Sequence, residues 1–361
     1  MSFLQRAGRG AANAAVALCS LLLALLALEF GSRWILPLSP GTQFIDVSGS
    51  GVDVVAGSGF AGRRGLRPSF TFRQISPDFD ALSHTGPLGM RAPEPNGAPV
   101  IVFLGDSFTF GQGLTDDQTI PALFCGSLQV SCANLGQPGT GTLRQMDTLE
   151  WRLSYHDWWP KDVILLVFAM SSSLMAGNDF EDTLAERAAA HAALGPEATA
   201  PSPLAKAPDQ GLLRYRQWLR AHSNLVRIVY LWAGPAIRAF LSPPAEAGRL
   251  DVGIGAMAEQ LKRLRTLSDE RGFRITLGVI YPVQDLMRRT HPATLQAVRA
   301  AAGGMRVVDT APALIDDPRA NYFPYDGHLN AEGARKVAEV LRGAFVESGV
   351  ATSPRGAATA P

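Results

Sequence analysis

Four short clusters in this sequence carry residues able to do nucleophilic chemistry, and they follow one another along the chain. They are Gly105-Asp106-Ser107, Asn134-Leu135-Gly136-Gln137-Pro138-Gly139, Gly177-Asn178-Asp179 and Asp326-Gly327-His328. A serine hydroxyl is a weak nucleophile that needs a base beside it. An imidazole titrates near neutral pH, which makes His328 the natural base for Ser107. Asp326 would hold the imidazole tautomer and stabilise the imidazolium that forms. In an extended stretch, side chains two apart point the same way, so Asp326 is expected to reach His328. A tetrahedral oxyanion then needs donors, for which the candidates are the Ser107 backbone N–H, the Gly139 backbone N–H and the Asn178 side-chain amide. Gly139 suits a close approach of backbone to substrate because it lacks a Cβ.

Taken singly, each cluster is ordinary turn or helix-cap chemistry; their order along the chain is what carries the reading. Ser171, Ser172 and Ser173 stand closer to the preceding strand than Asn178 and are the alternatives to it. His84, His156, His191, His222 and His291 are read as having no Asp partner in a comparable loop. Asn330 is expected to cap the last helix.

These groups need strand ends to present them. PVIVFLG, before Asp106, is a continuous apolar run, as expected of a strand buried on both faces of a parallel sheet. VSCANLG, DVILLVFAM, RITLGVIYP and MRVVDT repeat the theme. Helical stretches alternate with them, as in GAMAEQLKRLRTLSDERG, where Met257, Leu261, Leu264 and Leu267 share a face. The last helix is expected to turn Val337, Val340, Leu341 and Phe345 to the core. Strand alternating with helix predicts a doubly wound α/β sheet, whose ligands sit at the carboxyl ends of the strands.

The four blocks resemble those of the GDSL/SGNH hydrolase family, here as GDSFTFG, NLGQPGTG, AGNDF and DGHLN. The likeness covers about Val100 to Phe345. TGPLGMRAPE, ahead of the first strand, is similar to a segment of membrane-anchored members. The resemblance implies a three-layer α/β/α sandwich with a mainly parallel, flavodoxin-like sheet, and ester hydrolysis or acyl transfer. It also implies Ser107, His328 and Asp326 as catalytic residues, with Ser107, Gly139 and Asn178 lining the oxyanion hole. The family more often spaces its acid and base as Asp-x-x-His, whereas this chain has Asp326-x-His328.

The remainder of the chain frames that domain. Lys+Arg 33 against Asp+Glu 32 leaves a net charge of +1, so no basic excess exists to neutralise phosphates and nucleic acid is not expected as a partner. Ala11 to Leu28 is uncharged and would extend roughly 27 Å as a helix, close to the hydrocarbon thickness of a bilayer. Arg6 and Arg9 precede it, which keeps the N-terminus cytoplasmic and sends the bulk across. No convincing small-x-small cleavage site comes after it, so the segment is read as an uncleaved anchor, with a cleaved signal as the alternative. Cys125 and Cys132 sit close enough to bridge in an oxidising space, and equally could be two small buried thiols. HDWWP, with Trp158 and Trp159, is read as core or rim in preference to a sugar-stacking platform.

The expected layout is an anchor over 1–32, a hydrolase domain over 100–348, and between them a Gly/Pro/Ser-rich stalk over 33–99 that packs on the domain. A flexible insertion is expected at about 188–211 and a disordered tail over 349–361. The predicted activity is extracytoplasmic ester hydrolysis, with a small ester, a lipid or a glycan as substrate and no metal or cofactor implied. O-acyl transfer to a surface polysaccharide with the same residues is one alternative. A non-catalytic binding or assembly protein is the other.

Overall fold

The computed structural model describes residues 3–35, 43–47, 61–62, 65–169, 223–232 and 245–347. The expected insertion at 188–211 and the tail over 349–361 lie outside them. The chain divides into two compact units, Met1–Gly41 with Pro201–Pro243, and Thr42–Ala200 with Pro244–Pro361.

In the larger unit the described residues of the stretch 33–99, read as a stalk that packs on the domain, include strands. Strands β1 (Gln43–Asp46), β4 (Thr71–Ser76) and β5 (Phe79–His84) form an antiparallel sheet in the order β1-β4-β5. A two-residue pair, β2 (Ala61–Gly62) and β3 (Gly65–Leu66), precedes β4. Buried Phe44, Phe70 and Phe72 gather against Phe110, three residues past the candidate serine. The Phe72 and Phe110 rings stack with centroids 6.0 Å apart. An aromatic cluster of this kind turns a Gly-rich stretch into part of the body, because each ring removes a large apolar area from water.

The main sheet joins β6 (Ile101–Leu104), β7 (Cys132–Asn134), β8 (Asp162–Phe168), β9 (Arg274–Ile280) and β10 (Arg306–Asp309) in the order β10-β9-β8-β6-β7, all parallel. Every residue of β6 is buried, as are Val163 to Leu166 of β8, which is why these strands read as unbroken apolar runs. The chain leaves β6 for β7 on one side and returns to β8 on the other. That reversal opens a crevice at the carboxyl end of β6, the place where open α/β sheets bind ligands.

Helices cover both faces. After the short α2 (Ser107–Phe110) come α3 (Ile120–Leu128) and α4 (Thr142–Tyr155). The second half contributes α6 (Ala245–Arg271), α7 (Val283–Arg288), α8 (His291–Ala302), α9 (Ala311–Leu314) and α10 (Ala331–Glu347). Helices α4, α6 and α8 pack together in one layer, and α3, α9 and α10 in the other. The protein thus has the three-layer α/β/α architecture. The face expected on α6 is found there: Met257, Leu261 and Leu264 are buried and Leu267 packs against the core. On α10, Val337, Leu341 and Phe345 are buried, with Val340 partly so. Each such side chain contributes about 1.5–3 kcal/mol through its removal from water. Asn330 caps α10 as expected, its Oδ1 accepting the Gly333 N–H at 3.0 Å.

Cys125, near the end of α3, and Cys132, at the start of β7, are joined as a disulfide with a Cα separation of 6.2 Å. Trp158 is buried, whereas Trp159 is exposed and lies beneath the Arg271 guanidinium.

In the smaller unit, α1 (Phe3–Ile35) runs well past the apolar stretch at 11–28. Its segment Ala15–Ile35 is long and apolar enough to cross a membrane, and none of its residues is fully buried. Helix α5 (Asn224–Trp232) belongs to the same unit.

Candidate active site

Ser107 opens α2 directly at the end of β6. Asp106 caps that helix, its Oδ1 accepting the Phe108 N–H at 2.9 Å, so the acidic residue of the Gly-Asp-Ser block has a local structural role. Gly105 is required sterically: a Cβ there would lie 2.0 Å from Thr109 Oγ1 and 2.9 Å from the Leu166 carbonyl. The strand therefore passes tightly beneath α2 and delivers Ser107 to the sheet's carboxyl edge.

His328 arrives from the loop before α10. Its Nε2 lies 2.7 Å from Ser107 Oγ, and its Nδ1 lies 2.5 Å from Asp326 Oδ1. An ionised carboxylate only accepts, which assigns the proton to Nδ1 and leaves Nε2 to accept from the serine hydroxyl. The Asp326 side chain is 5% exposed and that of His328 16%, so the pair is largely shielded while the imidazole edge stays open. The route to this geometry differs from the extended stretch expected. Asp326 lies in a turn, and Gly327 adopts φ 84°, with its N–H donated to the Phe323 carbonyl at 3.0 Å. The left-handed glycine, not strand alternation, brings Asp326 to His328.

The loop is braced from several sides. Phe108 sits between the imidazole and Phe168, with ring centroids 4.5 Å and 4.3 Å away. Gln112 Nε2 donates to Asp326 Oδ2 at 3.0 Å, which occupies the second carboxylate oxygen. Asp78, in the turn between β4 and β5, accepts the backbone N–H groups of Tyr325 and Asp326 at 2.8 and 2.7 Å. Phe79 and Phe323 meet at 4.7 Å beside it. Gln74 Oε1 accepts the Gly113 N–H at 3.0 Å, so β4 also holds the chain just after Gln112.

Beneath these contacts Arg91 is fully buried. Its guanidinium lies 4.9 Å from the centre of the Phe110 ring, donates to the Leu114 carbonyl at 2.6 Å and pairs with Asp116 at 3.0 Å. Burial pushes Arg91 down to about 10, against the opposing pull of Asp116. Asp116 also holds His84 Nδ1 at 2.5 Å, an Asp partner far along the chain and not in a loop like that of Asp326 and His328. That pair ties β5 to the segment before α3 and shares no contact with Ser107.

The second block comes after β7. Gln137 donates its backbone N–H to the Gly105 carbonyl at 3.0 Å, fastening this loop to the first block. Gly139 has φ 71°, and no atom lies within 4 Å of where a Cβ would stand. Asn178, with its alternatives Ser171, Ser172 and Ser173, lies outside the described residues. A groove of about 1370 Å³ around the Cys125–Cys132 bridge includes none of Ser107, His328 and Asp326. Among the described residues no group of three or more His, Cys, Asp or Glu could hold a metal ion.

Ser107, His328 and Asp326 are thus brought together as read from their types and order, whereas Asp78, Gln112, Gln74 and Arg91 were missed. Only Asp78 carried a cue, in the Pro77-Asp78 turn between two strand-like pieces, and that cue marks a turn and not a partner.

Together the fold and these residues define a parallel α/β sheet carrying a serine, a histidine and an aspartate in hydrogen-bonded series at its switch point. No protein-family model and no curated protein matches the chain. Among solved structures it is similar to a protein described as lipolytic and of the G-D-S-L family, from Desulfitobacterium hafniense, at 13% identity and TM-score 0.38, covering 67% of this chain and 97% of that one. It is similar to an acetylxylan esterase from Geobacillus stearothermophilus, at 16% identity and TM-score 0.36, covering 70% and 94%. A family-two carbohydrate esterase with a carbohydrate-binding domain, from Corynascus thermopiles, matches at 15% identity and TM-score 0.35, covering 86% and 88%.

Proposed function

We propose that the protein is a membrane-anchored serine esterase whose catalytic body lies outside the cytoplasm. The observation that carries this reading is the unbroken series from Ser107 Oγ through the His328 ring to Asp326 Oδ1. His328 Nε2 takes the hydroxyl proton as Ser107 attacks the ester carbonyl carbon. Asp326 keeps the ring oriented and stabilises the imidazolium. The oxyanion is met by the Ser107 and Gly139 backbone N–H groups and the Asn178 amide, each donor lowering the barrier by about 2.7–4 kcal/mol. His328 then returns its proton to the departing alcohol, and a water activated by the same ring releases the acid. An ester on a small molecule, a lipid or a glycan meets these requirements.

The membrane part of the reading has separate support. The span Ala15–Ile35 lies after Arg6 and Arg9, which favour a cytoplasmic N-terminus. The Cys125–Cys132 disulfide fits an oxidising compartment. Glu29 and Ser32 of α1 hydrogen-bond Ser223, Asn224 and Leu225, contacts that removal of α1 as a signal would abolish.

The test is to treat the full-length protein in membranes with a fluorophosphonate and a panel of acetyl and longer acyl esters. Labelling should map to Ser107 and block hydrolysis. An unlabelled serine and no turnover of any ester would overturn the proposal.

A further inference from the structure

The anchor helix carries a carboxylate inside its own apolar span. Glu29 lies six residues before Ile35, about 9 Å along the axis from the outer end of the segment at 1.5 Å per residue. A carboxylate at that depth is costly unless it is paired and hydrogen-bonded. Here the pairing is complete. Glu29 accepts from Arg33 one turn on at 2.9 Å, from Ser223 Oγ at 2.7 Å, and from the backbone N–H groups of Asn224 and Leu225 at 2.8 and 3.0 Å. Asn224 is itself buried and donates its amide to Ser32 Oγ at 3.0 Å. Glu29 therefore supplies the acceptor that the open N–H groups at the start of α5 need.

Whatever depth Glu29 occupies, Ser223 to Leu225 must share it. The helix that begins there reads NLVRIVYLW, with Arg227 its sole charge. Nine residues span about 13.5 Å, too short to cross a bilayer. Val229 is 51% exposed, so about half of it is left uncovered.

We infer that α5 is a second membrane-contacting element, seated in the outer leaflet beside the anchor, with lipid acyl chains covering the exposed side of Val229. This rests on the membrane-anchor reading. The segment 223–232 then serves as a lipid-contacting surface of the protein.

The experiment uses the full chain with Cys19→Ser, reconstituted in phosphatidylcholine vesicles that carry a nitroxide on the acyl chain. A bimane is placed on Val229→Cys or, as a solvent-exposed control, on Lys262→Cys. The bimane at 229 should be quenched several-fold more than that at 262, because only hydrocarbon-level groups meet an acyl-chain nitroxide. In the same vesicles a polar maleimide should label Val229→Cys about tenfold more slowly than Lys262→Cys, since a thiol in hydrocarbon neither ionises nor meets the reagent. Adding Glu29→Ala should relieve both effects. Flotation with vesicles but no quenching at 229 would overturn the inference and leave the anchor standing. Oxidative crosslinking of Val229→Cys between chains would overturn it by naming a second copy as the occupant. Failure to float would overturn the anchor and the inference together.

Discussion

The Asp78 carboxylate accepts the backbone N–H of Asp326 at 2.7 Å across 248 residues of chain. With the matching bond from Tyr325, a turn in the N-terminal sheet sets the position of the loop that carries His328. Asp78→Ala should lower kcat by about 10–100-fold with little change in KM, because small misplacements of reacting groups carry costs of that order. Asp78→Asn keeps an acceptor oxygen and should recover most of the rate. Steady-state kinetics of both variants decide it; an Asp78→Ala enzyme with the parent kcat refutes the positioning role.

Ser107→Ala and His328→Ala should each remove nearly all hydrolysis, and the double variant should cost little more than either alone, since triad members act as a unit. Asp326→Asn should keep a residual rate, with the base present but its tautomer no longer held. Additive losses in the double variant would show that Ser107 and His328 act independently.

Asn178→Ala should reduce kcat by about 10²–10³, the range for loss of one oxyanion donor, while leaving the thermal midpoint unchanged. A near-parent rate would hand that role to Ser171, Ser172, Ser173 or a backbone group.

Replacing Cys125 and Cys132 by serine should destabilise the domain by about 2–4 kcal/mol, read as a lowered midpoint in denaturant. An unchanged midpoint would mean that the bridge between α3 and β7 adds nothing to stability.

Burial, and then Arg152, hold the His156 imidazole below its usual value. Arg152 and His156 Nε2 meet at 3.1 Å, which suits a neutral ring accepting from the guanidinium. A lowered folded-state value means that the unfolded chain binds the proton more readily. The stabilising contribution is therefore present above the unfolded pKa of about 6.5 and is lost as pH falls through the folded value. Melting curves across pH 5–8 should show less loss on acidification for His156→Gln than for the parent.

The parts legible beforehand share a physical reason. A strand stretch buried on both faces must be apolar, so β6, most of β8 and the second half of β9 were readable, and with them which loops lie at the carboxyl edge. Ser107, His328 and Asp326 were readable because few residue types can fill those roles. The supports were not readable. Asp78, Gln74 and Arg91 act through contacts with residues far along the chain, and no local pattern reports a partner at that distance. Asp326 and His328 are matched by residue type, but they are joined by a left-handed turn at Gly327 where an extended stretch is expected. The sheet over 43–84 was hidden by its Gly and Ser content, which masked the phenylalanines that fold it inward.

That sheet also bears on how the enzyme can be handled. A version cut at Val100 would remove Gln74, Asp78, Phe79 and Arg91. It would leave the loop that carries Asp326 and His328 without its brace and Phe110 without its ring partners. A truncation that keeps these contacts has to start upstream of Gln43, between α1 and β1, so that the hairpin travels with the residues it braces.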